Sequence, residues 1–193
     1  MRTFRIKNLL FTLVIISVLS LFITKATSIG KSFPRPAAEE IKIIKVEPFV
    51  YCSLSRVGSF SEIESMVGEL MQHLQNQNVF PTGPMIGIFH GQAEVSDPES
   101  LRWEIGFPVN EQAQVLAPLE KKLWNYTTVA MAIYQGPYDK TGETILKIQE
   151  WLEENGYQQV GPIMERYLDP DPSRTSPQRL KTEIWIPCEA STD

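Results

Sequence analysis

The feature that most constrains the fold of this chain is an internal repeat. Three landmarks of the first half return in the same order in the second half: Gly58 as Gly136, Pro84 as Pro162, and Glu104 as Glu183. The first two pairs are 78 residues apart and the third is 79 residues apart. Because a small sheet with one helix cannot cover its own apolar face, the two halves are expected to pack together about a pseudo-twofold axis.

Each half has the pattern strand, helix, strand, strand. Strands rich in β-branched, apolar and aromatic residues are expected at Phe49–Arg56, Pro84–His90, Leu101–Val109, Thr128–Gln135, Pro162–Leu168 and Lys181–Cys188. This predicts an α+β fold of duplicated βαββ repeats with pseudo-twofold symmetry. We expect an antiparallel sheet with the helices on one face and a ligand cleft on the other, free face.

Helical periodicity marks one helix in each half. The first is expected to begin at a capping box formed by Ser61 and Glu64. Its apolar residues share one face: Ile63, Met66, Val67, Leu70 and Leu74. The second helix carries Ile145, Ile148 and Leu152 in the same way, and it is expected to end at a glycine C-cap in Asn155-Gly156.

The N-terminus differs in kind from the rest of the chain. Arg2, Arg5 and Lys7 precede the apolar run Leu9–Ile23, an order typical of a signal peptide or a transmembrane anchor. As a helix this run is about 22 Å long, against roughly 30 Å for a bilayer core, so cleavage and retention both stay open. A single anchor helix with the domain on the exported side is favoured, and a secreted or periplasmic product of cleavage is the alternative.

The predicted organisation follows from these patterns. In chain order it is a signal or anchor over residues 1–28, a stalk over 29–44, a first repeat over 45–109, a linker over 110–127, a second repeat over 128–189 and a tail over 190–193. The linker is expected to be a loop with a short helical piece near Leu119–Leu123. Cys52 and Cys188 fall in apolar strands, which favours buried thiols over a disulfide.

Charge and composition exclude some functions. The net charge is -5 and no basic stripe is present, so nucleic acid is not an expected partner. No cluster of ligands predicts a metal, and no cofactor is expected. The two histidines, His73 and His90, lie outside any haem-ligand motif and are interpreted as surface residues, although a haem-binding or protein-binding module stays as a further alternative.

Strand alternation predicts the ligand-binding residues. In the last strand of the second half, Ile184 and Ile186 face the helices while Glu183 and Trp185 face the other way. Glu104 is the equivalent acid of the first half, next to Gly106 where the second half has Trp185. The complete predicted ligand-binding set is Glu183, Trp185, Tyr167, Glu104 and Phe89. A carboxylate among aromatic rings suits an amphipathic or cationic small molecule.

Several segments together resemble the GyrI-like domain, which belongs with the SOUL proteins in one superfamily. The segments are Tyr134–Tyr138, Trp151–Gly156, Gly161–Tyr167, Asp169-Pro170 and Thr182–Pro187. The resemblance covers about Lys45 to Cys188. It implies a duplicated βαββ fold, like the effector-binding domain of multidrug-responsive regulators, and a key glutamate at Glu183.

Two functions are compatible with this resemblance. A small-molecule-binding protein needs only the cleft and Glu183. A hydrolase of strained small molecules would use Glu183 with an adjacent aromatic residue, and Glu183 and Tyr167 are then the catalytic candidates. The residues identify no ligand and favour binding over turnover only because no other catalytic motif is present.

Overall fold

The computed structural model describes residues 40–90, 101–169 and 171–191. The predicted export or anchor segment therefore lies outside the described residues. The two α-helices within them are α1 (Ile63–Gln77) and α2 (Gly142–Glu154). Neither is long and apolar enough to cross a membrane.

Nine antiparallel strands lie within the described residues. They are β1 (Lys42–Lys45), β2 (Phe49–Val57), β3 (Met85–His90), β4 (Arg102–Pro108), β5 (Glu120–Trp124), β6 (Thr128–Gln135), β7 (Tyr157–Gln159), β8 (Ile163–Tyr167) and β9 (Lys181–Ala190). Their order in the sheet is β1-β6-β9-β8-β3-β4-β2-β5, and β7 pairs with β9. The mixed α/β class with one large antiparallel sheet and two helices, expected from the sequence, is confirmed.

The helices cover one face of the sheet with two apolar clusters. Met66, Leu70 and Leu74 of α1 pack on β2 and β4. Ile148 and Leu152 of α2 pack on β6 and β9. These are the apolar stripes that the 3.6-residue period predicts, so both helix faces are confirmed.

Local details at the helix ends differ in part from the predictions. The predicted C-cap is confirmed, because Gly156 follows α2 with a φ of 73°. The capping box at Ser61 is wrong: a short 3-10 turn over Phe60–Glu62 precedes α1, and the side chain of Ser59 accepts a hydrogen bond of 3.2 Å from the Ser61 amide. The Ser61 amide, which a capping box would pair with the Glu64 side chain, is thus already bonded to Ser59 in the preceding turn.

The segment between the two halves contains a strand where a helical piece was predicted. β5 pairs with β2, so the helical expectation for Leu119–Leu123 is wrong. Glu120, Lys121 and Lys122 are good helix formers, but the open edge of β2 supplies backbone partners that outweigh this preference. At the other end, β1 pairs with β6, so the sheet begins at Lys42, within the segment predicted as a stalk.

Candidate ligand-binding site

Alternation along the last strand of each half places the two glutamates on the helix-free face. Ile184 and Ile186 are buried in the cluster beneath α2, and Ile105 is buried in the cluster beneath α1. Trp185 belongs instead to a third buried cluster on the opposite face. Glu183 and Glu104 each lie next to one of these helix-facing isoleucines, Ile184 and Ile105, so alternation puts both glutamates on the helix-free face, as the sequence predicts.

The helix-free face is not the free groove that the sequence suggested. It carries its own buried cluster, in which Ile86, Ile88 and Met164 form the centre and Tyr51, Trp124, Val129 and Trp185 lie around them. Phe49 packs against this cluster from its edge. The face is therefore already covered by side chains of the chain itself.

The curvature of the sheet explains how this face is covered. β2 and β9 are separated in the sheet by β4, β3 and β8. In a flat sheet, four spacings of about 4.8 Å would keep them roughly 19 Å apart. The ring of Phe49 in β2 nevertheless lies 6.5 Å from the ring of Trp185 in β9. The sheet must curl toward the helix-free face and enclose its aromatic residues.

Glu183 has a cation beside it that the sequence did not reveal. Arg166 of β8 lies opposite Glu183 in the register of β8 and β9, and its guanidinium pairs with the Glu183 carboxylate. The same guanidinium lies 4.4 Å from the centre of the Trp185 ring. Both side chains are largely buried, with 24% of Arg166 and 15% of Glu183 exposed. Carboxylate and ring together thus hold one planar cation.

Two buried indole N–H groups lie in the same cluster without a hydrogen-bond partner among the described residues. They belong to Trp185 and Trp124. Both rings contact Phe49, at centroid distances of 6.5 Å and 6.4 Å. Because a buried donor that stays unpaired is costly, these groups suit a ligand that brings a hydrogen-bond acceptor.

Glu104, the matching acid of the first half, is fully engaged by other partners. Its carboxylate accepts hydrogen bonds from Ser53 at 2.7 Å and from Lys122 at 2.8 Å, and His90 Nε2 lies 2.6 Å from its other oxygen. Burial alone would raise its pKa, but the hydrogen bonds from His90, Lys122 and Ser53 outweigh burial and lower the pKa to about 2. Glu104 is therefore ionised at neutral pH.

The first half has no counterpart of the Trp185 ring, as expected. A Cβ atom at Gly106 would lie 2.2 Å from the carbonyl oxygen of Cys52 and 2.8 Å from the Cβ of Ser53. No side chain fits there without moving the backbone of β2. The interpretation of His90 as a surface residue also changes. The structure makes it a half-buried partner of Glu104.

Tyr167 and Phe89 lie together but on the opposite face of the sheet from Glu183. The Tyr167 hydroxyl donates to Glu165 at 2.9 Å. A Cβ at Gly87 would lie 2.8 Å from this hydroxyl and 3.1 Å from the Phe89 ring, which shows that both rings cover Gly87. Burial raises the pKa of Glu165, and its hydrogen bonds only partly offset this. Among the predicted aromatic partners, only Trp185 adjoins Glu183.

The other candidate features of the described residues are surface cavities, possible metal ligands and cysteine thiols. Surface cavities of about 600 and 570 Å³ lie elsewhere, one beside Arg174 and Arg179 and the other beside Met71 and Phe80. No group of three or more His, Cys, Asp or Glu side chains that could hold a metal occurs in the described part of the chain. Cys52 and Cys188 are buried free thiols, as the sequence favoured.

Comparison with known proteins identifies the domain type. The family model described as the GyrI-like small molecule binding domain matches residues 39–189. No curated protein matches the chain.

Solved structures share the fold at low sequence identity. The crystal structure of the EcmrR C-terminal domain has a TM-score of 0.71 and 18% identity, over 80% of this chain and 99% of that one. A hydrolase from Listeria innocua has a TM-score of 0.53 and 13% identity, over 78% and 92% of the two chains. SAV2435 bound to tetraphenylphosphonium has a TM-score of 0.50 and 13% identity, over 78% and 94%.

Proposed function

Since this chain belongs to the GyrI-like small-molecule-binding family, we propose that it binds an amphipathic organic cation on the helix-free face, at Glu183 and Trp185. The observation that carries this proposal is the placement of Arg166. A planar cation lies against the Glu183 carboxylate and over the Trp185 ring, so the site already has the two groups that recognise such a charge. We call the space between these two groups the cation position.

The surroundings of the cation position support an aromatic or otherwise apolar ligand body. Ile86, Ile88 and Met164 line the inner face of the curled sheet, and Phe49 and Trp124 lie beside Trp185. An apolar ligand body that packs beside these rings would lose its own contact with water, which contributes about 25 cal/mol per Å² of buried apolar surface. Tetraphenylphosphonium, which is bound in SAV2435, combines a positive charge with such a body.

A titration of the full-length chain with tetraphenylphosphonium tests the proposal. Glu183→Gln keeps the shape of the side chain but removes its charge, so binding should weaken by about 1–3 kcal/mol. The measurement is isothermal titration calorimetry at pH 8. Glu104→Gln should weaken binding less, because Gly106 offers no ring and three side chains already engage Glu104.

A neutral probe of similar shape supplies the control. Triphenylphosphine oxide carries no net charge, so its affinity should be the same for the wild type and for Glu183→Gln. Equal affinity of both proteins for tetraphenylphosphonium would contradict the proposed role of Glu183.

We further propose that the two halves are structural repeats. The support is their register. Each last-strand glutamate lies between two neighbours at corresponding positions: Glu104 between Ser55 and Ile88, and Glu183 between Ile133 and Arg166. Superposing the two halves of an experimentally determined structure checks this, and a failure of Glu104 to overlay on Glu183 would reject it.

We also propose that residues 1–28 direct the domain out of the cytoplasm, either as a retained anchor or as a cleaved signal. The support is the sequence pattern alone, with basic residues ahead of the apolar run Leu9–Ile23. In this arrangement the ligand would be met on the exported side of the membrane.

A further inference from the structure

We propose that Arg166 is an internal competitor for the cation position, so that an external cation binds only after the Arg166 side chain leaves Glu183 and Trp185. This inference rests on the proposed function and adds the regulation of the same site. Arg166 is not among the ligand-binding residues that the sequence predicted.

The geometry shows why Arg166 and a cationic ligand exclude one another. The guanidinium pairs with Glu183 and lies 4.4 Å from the centre of the Trp185 ring. An organic cation that used the same carboxylate and ring face would overlap these atoms.

The energetic balance allows Arg166 to leave. Its side chain is 24% exposed and Glu183 is 15% exposed, so water reaches the pair at its edge. In a largely buried ion pair the cost of desolvation offsets much of the attraction between the charges, so the net stabilisation that holds Arg166 in place is small. The Arg166 stem can remain packed on the sheet while its charged end turns to solvent, as arginine side chains commonly do.

Competition of this kind lowers the apparent affinity in proportion to the fraction of molecules in which the cation position is open. Removing the guanidinium should therefore strengthen binding. A largely desolvated cation–π contact corresponds to a factor of roughly 5 to 30, so the dissociation constant for tetraphenylphosphonium should fall by about this factor in Arg166→Met. Methionine keeps much of the length and apolar stem of arginine.

The experiment compares full-length variants by calorimetric titration with tetraphenylphosphonium at pH 8. Lys147→Met removes the same charge from the exposed side of α2, on the other face of the sheet, and should leave the affinity unchanged. Arg166→Lys keeps the charge but loses the planar contact with the ring, so its affinity should lie between those of the wild type and Arg166→Met. Thermal denaturation will show whether Arg166→Met folds. If it does not fold, Arg166→Lys alone tests the competition.

The outcomes separate this inference from the proposed function. Tighter binding by Arg166→Met, reversed when Glu183→Gln is added, supports both. Equal or weaker binding by Arg166→Met, with weaker binding by Glu183→Gln, overturns the competition and leaves the proposed function intact. Absence of binding in the wild type and in both Arg166 variants overturns both.

Discussion

Glu104 and Glu183 stand four residues before a proline in β4 and in β9, yet their partners give them different roles. Glu104 is held by Ser53, His90 and Lys122 within hydrogen-bonding distance. Glu183 has Arg166 and the adjacent ring of Trp185. The first carboxylate is fixed by several groups at once, whereas the second is paired with a single guanidinium. Glu104 is therefore expected to support the fold and Glu183 to bind the ligand.

Stability against acid tests this division at the level of single residues. The folded pKa of Glu104 is about 2, below the ordinary value of 4.5, so its contribution to stability is complete above about pH 4.5 and is lost as the pH falls toward 2. Glu104→Gln should lower the free energy of unfolding by about 1–3 kcal/mol at pH 7. Urea denaturation at pH 7 and at pH 3 should show that the difference shrinks at the lower pH.

Glu120 is the matched control, because its exposed carboxylate pairs with the same lysine, Lys122, as Glu104 does. Glu120 pairs with Lys122 at 2.7 Å but is 58% exposed. Glu120→Gln should therefore cost less than about 1 kcal/mol. If the two substitutions cost the same, or if the cost of Glu104→Gln does not change with pH, the ionised Glu104 network does not stabilise the fold as described.

At the level of elements, the end of α2 depends on backbone conformation and not on packing. Gly156 has a φ of 73°, and a Cβ atom there would meet nothing within 4 Å. The cost of a side chain at this position is thus the strain of the left-handed conformation alone. Gly156→Ala should lower the free energy of unfolding by about 1–2 kcal/mol.

The first residue of the same helix offers the opposite case. Gly142 also has open space around its Cβ position, but its φ lies outside the left-handed region. Gly142→Ala should stabilise the protein by about 0.5 kcal/mol, because it restricts the unfolded chain without straining the helix. Thermal denaturation of Gly156→Ala and Gly142→Ala measures both changes in stability. A stabilised Gly156→Ala protein would show that this account of the helix end is wrong.

At the level of the whole molecule, the curl of the sheet decides which side chains meet on the helix-free face. It brings Phe49 and Trp185 together across the helix-free face, although three strands separate β2 from β9. The aromatic residues thus form an enclosed cluster, and Arg166 lies beside it at Glu183.

The proposed export is a property of the full-length chain. The full-length chain should fractionate with membranes or outside the cytoplasm, because the positive flank of Leu9–Ile23 stays inside while the domain is translocated. A chain that lacks residues 1–28 should lose this location. Immunoblots of cell fractions give the measurement, and recovery of the intact full-length chain in the cytosol would reject the proposal.

The sequence by itself determined both helices, six of the nine strands in the described residues, and the facing of residues along the last strand of each half. Apolar periodicity placed both helix stripes correctly, and period-two alternation put Ile105 and Ile184 under the helices with Glu104 and Glu183 opposite. These predictions succeeded because they depend on side-chain direction within one element, which the backbone geometry fixes locally.

Only the tertiary structure decided which elements meet. Both faces of β8 carry apolar and charged residues, so its pattern did not show that Arg166 faces Glu183 while Tyr167 lies on the other face with Phe89 of β3. The strand at Glu120–Trp124 formed against its local helix preference because the edge of β2 offered hydrogen-bond partners. Pairing, register and curl depend on contacts between residues far apart in the chain, and a local pattern carries no information about them.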